Sequence, residues 1–244
     1  MLSKSHKNLS YKAIHDIYKA QVLNVKELEN AWKHINRTIN YAYKIEDLSL
    51  VKHQTRMLAL VFCAYTEANF SKLIHTPYGL NTHEISQVKK AQKRSIVKAW
   101  KECLRVSAKK IQSKRSNHIP NLIQETNRLI TSYIEEPSLI RNKVAHGQWA
   151  ISLNSDNTKI NDDLTQNVKN LTVVDLYRFK AAFDKLNAIL EDIIESPNKA
   201  HWKFYWAHIT EFDQEQERLK KHTVAGKIAQ IKRKEGYKNT SVHS

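Results

Sequence analysis

The sequence predicts an all-α fold, on three observations. Only 4 Gly and 4 Pro occur in 244 residues, too few turn formers for an all-β chain. Apolar residues recur at helical spacing through most of the length. Strand-like alternation is confined to one short segment after residue 148. A hydrophobic content of 41% marks a globular chain, long enough for one or two domains with a real core.

The elements follow in order. Residues 8–47 carry Leu23, Leu28, Ala31, Trp32, Ile35 and Ile39 at i, i+3, i+4 spacing, which predicts an N-terminal amphipathic helix with a break near Asp47–Ser49. Residues 54–74 are apolar nearly all round, the pattern of a central core helix. Glu67 stands out there, because a carboxylate on a mostly buried helix needs a partner. The stretch Thr76-Pro77-Tyr78-Gly79-Leu80-Asn81 predicts a loop. Residues 84–112 read as one long basic helix, with Ile85, Val88, Ile96, Val97, Trp100, Leu104 and Ile111 on its apolar positions. Residues 119–134 read as another. A further helix is expected from Pro137, which suits a first turn, to Gly147, which suits a helix stop.

Beyond Gly147, Trp149-Ala150-Ile151-Ser152-Leu153 alternates, Asn154-Ser155-Asp156-Asn157 has turn chemistry, and Lys159-Ile160-Asn161 returns. That predicts a small β-hairpin. Residues 172–195 form a strongly amphipathic helix stopped by Pro197. Residues 200–212 are aromatic-rich (Trp202, Phe204, Tyr205, Trp206, Phe212), and the remainder reads as a polar, basic tail. The expected organisation is an N-terminal helical extension (1–48), a helical domain (49–197), and an aromatic-rich helix with a basic tail (198–244).

The net charge of +16 is uneven. Residues 86–118 hold eleven Lys/Arg against one acid, Glu102, and residues 218–238 hold eight against one, Glu235. Residues 119–217 hold ten against fifteen. Such basic blocks suit phosphate neutralisation by counterion release, and equally a solvated helix face or an acidic protein partner. Lys89, Lys90, Lys93 and Arg94 in the first block, with Lys143 further on, are the candidate nucleic-acid contacts.

The cysteines, Cys63 and Cys103, are too few for a disulfide framework. The basic start Met1–Lys7 is not followed by an apolar core, so no secretory signal is expected. No run approaches 18 uncharged apolar residues, so no membrane span is expected, and the chain reads as cytoplasmic. There is no Walker loop, dinucleotide turn or nucleophile elbow. The two cysteines lack matched histidines for zinc, and His201, His208 and Glu211 make only a weak metal set. No metal or cofactor is expected.

One run remains: Arg141-Asn142-Lys143-Val144-Ala145-His146-Gly147. On a helix Asn142 and His146 share a face at i, i+4, while Arg141 and His146 stand roughly 140° apart. Histidine is the side chain suited to proton transfer near neutral pH. Arginine holds phosphate through two hydrogen bonds and stabilises its transition-state charge. Asn142 suits orienting His146 or binding phosphate. Arg followed by Asn, with a His five positions after the Arg and Gly next, between long helices, resembles the signature of the HEPN superfamily over roughly residues 49–197. The helix carrying Glu67 also looks like the first core helix of such domains.

The resemblance implies a HEPN-like helical bundle and a metal-independent endoribonuclease. It implies catalytic Arg141, Asn142 and His146, with site support from Glu67, in two motifs facing each other across a homodimer. RNA supplies its own 2′-OH nucleophile, so the products carry 2′,3′-cyclic phosphate and 5′-hydroxyl ends. It further implies a toxin or antiviral defence effector acting on tRNA or mRNA, restrained by an antitoxin, sensor or other partner encoded elsewhere. Two other readings stand beside it. One is a non-catalytic HEPN adaptor in a larger defence complex. The other is a DNA- or RNA-binding regulator that uses the basic blocks without chemistry. Tyr65, Tyr133 and the aromatic residues 202–206 suit packing first, and base stacking second.

Overall fold

The computed structural model describes residues 10–113 and 115–240; the side chains of residues 136, 141 and 235–240 lie outside the described set. The basic start read for a signal, Met1–Lys7, also lies outside it. Among the described residues the chain is all-α, with ten α-helices. They are α1 (Tyr11–Lys44), α2 (Leu48–Ile74), α3 (Thr82–Gln92), α4 (Ile96–Ala108) and α5 (His118–Ile130). A π-helical turn (Thr131–Glu135) leads into α6 (Glu136–Ala145). Then come α7 (Asp162–Asn170), α8 (Val173–Glu195), α9 (Ala200–Lys220) and α10 (Val224–Thr240).

These helices build two compact units that interleave along the chain. Unit 1 takes residues 10–25, Thr66–Glu136 and Phe183–Thr210; unit 2 takes Lys26–Tyr65, Pro137–Ala182 and residues 211–240. By length and composition α2 is apolar enough to cross a bilayer, and 56% of its most apolar window is buried in the fold, as an all-round apolar core helix is.

Unit 1 centres on three rings. Trp100 of α4 packs against Phe70 of α2 at 5.1 Å and edge-on against Phe183 of α8 at 5.4 Å, and all three are buried. The single helix expected over 84–112 is two. Ser95 turns extended, and its hydroxyl accepts from the Lys98 N–H at 3.0 Å, so a serine N-cap restarts the chain as α4. At the start of α3, Asn81 and Glu84 form a reciprocal capping box. Lys110 donates to both Glu84 and the Gly79 carbonyl at 2.7 Å. A Cβ on Gly79 would lie 2.4 Å from Ile194 Cγ2, so only glycine lets this turn meet α8. Burial pushes the Cys103 thiol up to about 12, which leaves it unreactive.

The aromatic start of α9 is also a packing element of unit 1. The His118 ring stacks on Trp202 at 4.2 Å, and its Nε2 lies 3.1 Å from His201 Nε2, with Tyr205 edge-on. His201 and His208 do not share a site, since His208 instead faces Asp192 at 3.2 Å.

Unit 2 is organised around Trp32 of α1, which meets Phe62 of α2 at 6.2 Å and Tyr177 of α8 edge-on at 5.7 Å. Lys180 lies over the Tyr65 ring and donates to its hydroxyl at 3.1 Å, so this phenol is committed inside the fold. Three expectations change here. The predicted β-hairpin reduces to one antiparallel bridge, Leu153↔Ile160, because Asn154 turns the segment with its own side chain, accepting from the N–H groups of Thr158 and Lys159. The segment 162–170, not assigned an element from sequence, is α7, N-capped by Asn161. The basic tail contains α10.

Replacing Trp100 with Ala removes the ring between Phe70 and Phe183. It is expected to destabilise the chain by about 3–5 kcal/mol, read as a lower urea midpoint. A second expectation concerns acid. Burial, with a smaller contribution from His118, pushes His201 down from its ordinary 6.5 to about 4. The unfolded imidazole therefore binds a proton that the folded one refuses, and stability falls as pH drops from about 6.5 to about 4. Urea midpoints measured across that window should decline, and His201→Phe should flatten the decline.

Candidate functional site

The motif occupies the end of α6, in unit 2. Pro137 has no N–H to give the carbonyl four residues back, and its ring crowds that carbonyl. The chain widens into the π turn just before it, a device common near functional sites. The helix predicted to begin at Pro137 is thus the last part of a helical run from His118.

Ile140 and Val144 face inward, 6% and 1% exposed. Asn142 and His146, one turn apart, lie on the opposite, exposed side. The His146 N–H donates to the Asn142 carbonyl at 3.1 Å. Gly147 then takes φ +74°. Its N–H bonds the Val144 carbonyl at 3.2 Å, and the Gln148 N–H bonds the Lys143 carbonyl at 2.9 Å. These paired bonds form a Schellman stop, and they make His146 the last residue before the reversal. A Cβ on Gly147 would meet nothing within 4 Å, so the requirement is conformational and not steric.

Side chains close the stop further. The Trp149 indole N–H donates to the Val144 carbonyl at 2.8 Å, and Arg56 lies 5.9 Å from the indole centre. Gln148 accepts from the Leu153 N–H at 2.8 Å, and Lys143 donates to the Leu153 carbonyl at 2.5 Å. Behind that loop, the Ser152 N–H donates to Thr165 of α7 at 2.9 Å. The imidazole of His146 therefore projects from a helix end held by backbone, indole, amide and ammonium contacts.

The predicted site residues divide as follows. The structure brings Asn142 and His146 onto one exposed face. Arg141 lies on the same helix, one residue before Asn142, and its side chain is outside the described set. Lys143, expected as a nucleic-acid contact, is half-buried and spent on Leu153, a structural role that follows from its place on the loop side of α6. Glu67 belongs to unit 1 and occupies an exposed position of α2. Lys89, Lys90, Lys93 and Arg94 also belong to unit 1, at the end of α3. Lys90, Lys93 and Arg94 are exposed, whereas Lys89 is half-buried, and burial lowers its ammonium below the ordinary lysine value. Trp149, Gln148 and Arg56 went unassigned from sequence. Trp149 carried a signal, its position two residues after the stop glycine, but its alternation with Ile151 favoured a strand reading.

Gly147→Ala is expected to cost about 1–2 kcal/mol, because an alanine there must hold the left-handed conformation. Gly147→Asn, whose side chain tolerates it, should cost less in the same thermal melt. No family model, curated protein or solved structure matches this chain.

Proposed function

We propose that the chain is a HEPN-like, metal-independent endoribonuclease with Arg141, Asn142 and His146 as its reacting groups. The observation that carries this reading is the exposed Asn142–His146 face at a closed helix end, opposite the buried Ile140–Val144 face. A rigid element presenting an imidazole to solvent is the form a proton-transfer group needs.

The chemistry follows from the residue types. The RNA 2′-OH loses its proton and attacks the adjacent phosphorus. The bond to the 5′-oxygen breaks, leaving a 2′,3′-cyclic phosphate, and the departing oxygen takes up a proton. Arg141 supplies charge for the phosphorane and Asn142 a hydrogen bond. One imidazole serves either as base or as acid in a given turnover. A second motif from another copy supplies the complementary role, which favours a homodimer. A role as a toxin or defence effector, held in check by a separate partner, belongs to the same proposal.

The test is purified chain with total RNA and tRNA in EDTA, beside His146→Ala and Arg141→Ala. Wild type is expected to cut, leaving cyclic-phosphate ends, and the variants to lose roughly 10²–10⁴ of the rate. Equal cutting by all three places any nuclease elsewhere. Intact RNA held tightly and released by salt favours binding without chemistry, for which the exposed Lys90, Lys93 and Arg94 of unit 1 speak.

A further inference from the structure

Within unit 2, a cleft of about 680 Å³ opens between the end of α9, the start of α10, and residues of α1 and α8. That volume is in the range of small-molecule sites. Four cations line it, Lys221, Lys227, Arg233 and Lys234, and among the described residues no carboxylate does. Several basic residues elsewhere on these two helices are paired. Arg218 meets Glu215, Lys220 meets Glu217, and Lys232 meets Glu46. None of the four that line the cleft forms an ion pair with a described carboxylate. Positive charge is thus left uncompensated where the surface is concave, the arrangement that focuses an anion.

Lys227 makes the point most sharply. Its ammonium lies 4.9 Å from the Tyr177 ring centre. Burial lowers its pKa below the ordinary lysine value, and the charge of Lys234 acts in the same direction. A half-buried cation with a second cation pressing on it is stabilised by an arriving anion. The start of α10 adds its partial positive charge, with Thr223 capping the Gly226 N–H at 3.0 Å.

The rest of the lining narrows the ligand. Val174, Tyr177, Leu219 and Ile231 give apolar and aromatic wall. Asn40 adds a polar group to the same lining. The ligand therefore needs negative charge and a flat or apolar part.

We propose that this cleft binds a nucleotide unit, its phosphates on Lys221, Lys227, Arg233 and Lys234 and its base or sugar against Tyr177 and Asn40. The unit is either a free nucleoside polyphosphate or one residue of a strand. The inference is about binding and stands whether or not the chain cuts RNA.

The test is isothermal titration of the full chain at fixed ionic strength. The probes are ATP, GTP, inorganic tripolyphosphate and a short 2′-O-methyl oligoribonucleotide, which lacks the attacking hydroxyl. Binding of a nucleoside triphosphate or of the oligonucleotide, tighter than tripolyphosphate, is expected. Lys227→Met is expected to weaken it about tenfold or more. The exposed pair Lys221→Gln/Lys234→Gln should also weaken it, and serves if Lys227→Met disturbs folding. Saturable ATP or GTP binding assigns the free nucleotide, and binding by the oligonucleotide alone assigns the strand. Tripolyphosphate binding as tightly as the nucleotides overturns the nucleotide assignment. No binding, or binding untouched in both variants, overturns the site.

Discussion

Burying most of the apolar surface of α2 is the constraint on which the rest of the structure depends. Its 27 residues leave apolar groups around most of the helix circumference, and each buried large side chain contributes about 1.5–3 kcal/mol. One helix therefore supplies ring anchors to two cores, Phe62 beside Trp32 in unit 2 and Phe70 beside Trp100 in unit 1. A helix with a single apolar stripe supplies only one. The interleaved make-up of the units follows from this, since α1, α2, α8 and α9 each contribute segments to both.

Helix termination is the second organising force, and it concerns the candidate site directly. With so few glycines, helices here stop and start mostly through side chains, Asn81 with Glu84, Ser95 and Asn161. The end of α6 combines a left-handed glycine with an indole, an amide and an ammonium, each tied to a carbonyl or N–H of the same short segment. Each such contact contributes only about 1 kcal/mol. Together they hold one exposed imidazole at a defined helix exit, which is the property a reacting group requires.

Charge is arranged differently in the two basic blocks. Around α3 and α4, cations sit on exposed helix turns, and Glu102 and Glu84 engage Arg105 and Lys110. Around α9 and α10, pairing is confined to the outward residues and the cleft is left bare. Composition treats the blocks as alike, and the fold separates them, because neutralisation depends on which side chains meet in space.

The all-α class, the central helix 54–74, the long helices 8–47 and 172–195, and the helix stop at Gly147 were legible in the residues, because they rest on local rules: periodicity, turn composition and capping chemistry. The break at Ser95 was legible in principle, a serine before an apolar run, but the apolar period on either side ran in phase and hid it. The reading of Trp149 as a strand residue failed, and the hairpin shrank to the Leu153–Ile160 bridge, because alternation over so few positions does not distinguish a sheet from a loop pinned by Asn154. The exposed place of Glu67, the diversion of Lys143 to Leu153, the stacking of His118 on Trp202 and the uncompensated cleft around Lys227 were decided only by tertiary structure. They depend on residues distant in sequence, whose proximity no local pattern encodes. What the sequence determined by itself is which segments are helical and where the Arg141–Gly147 motif ends its helix; what only the fold decided is which polar groups are spent on structure and which remain to meet a ligand.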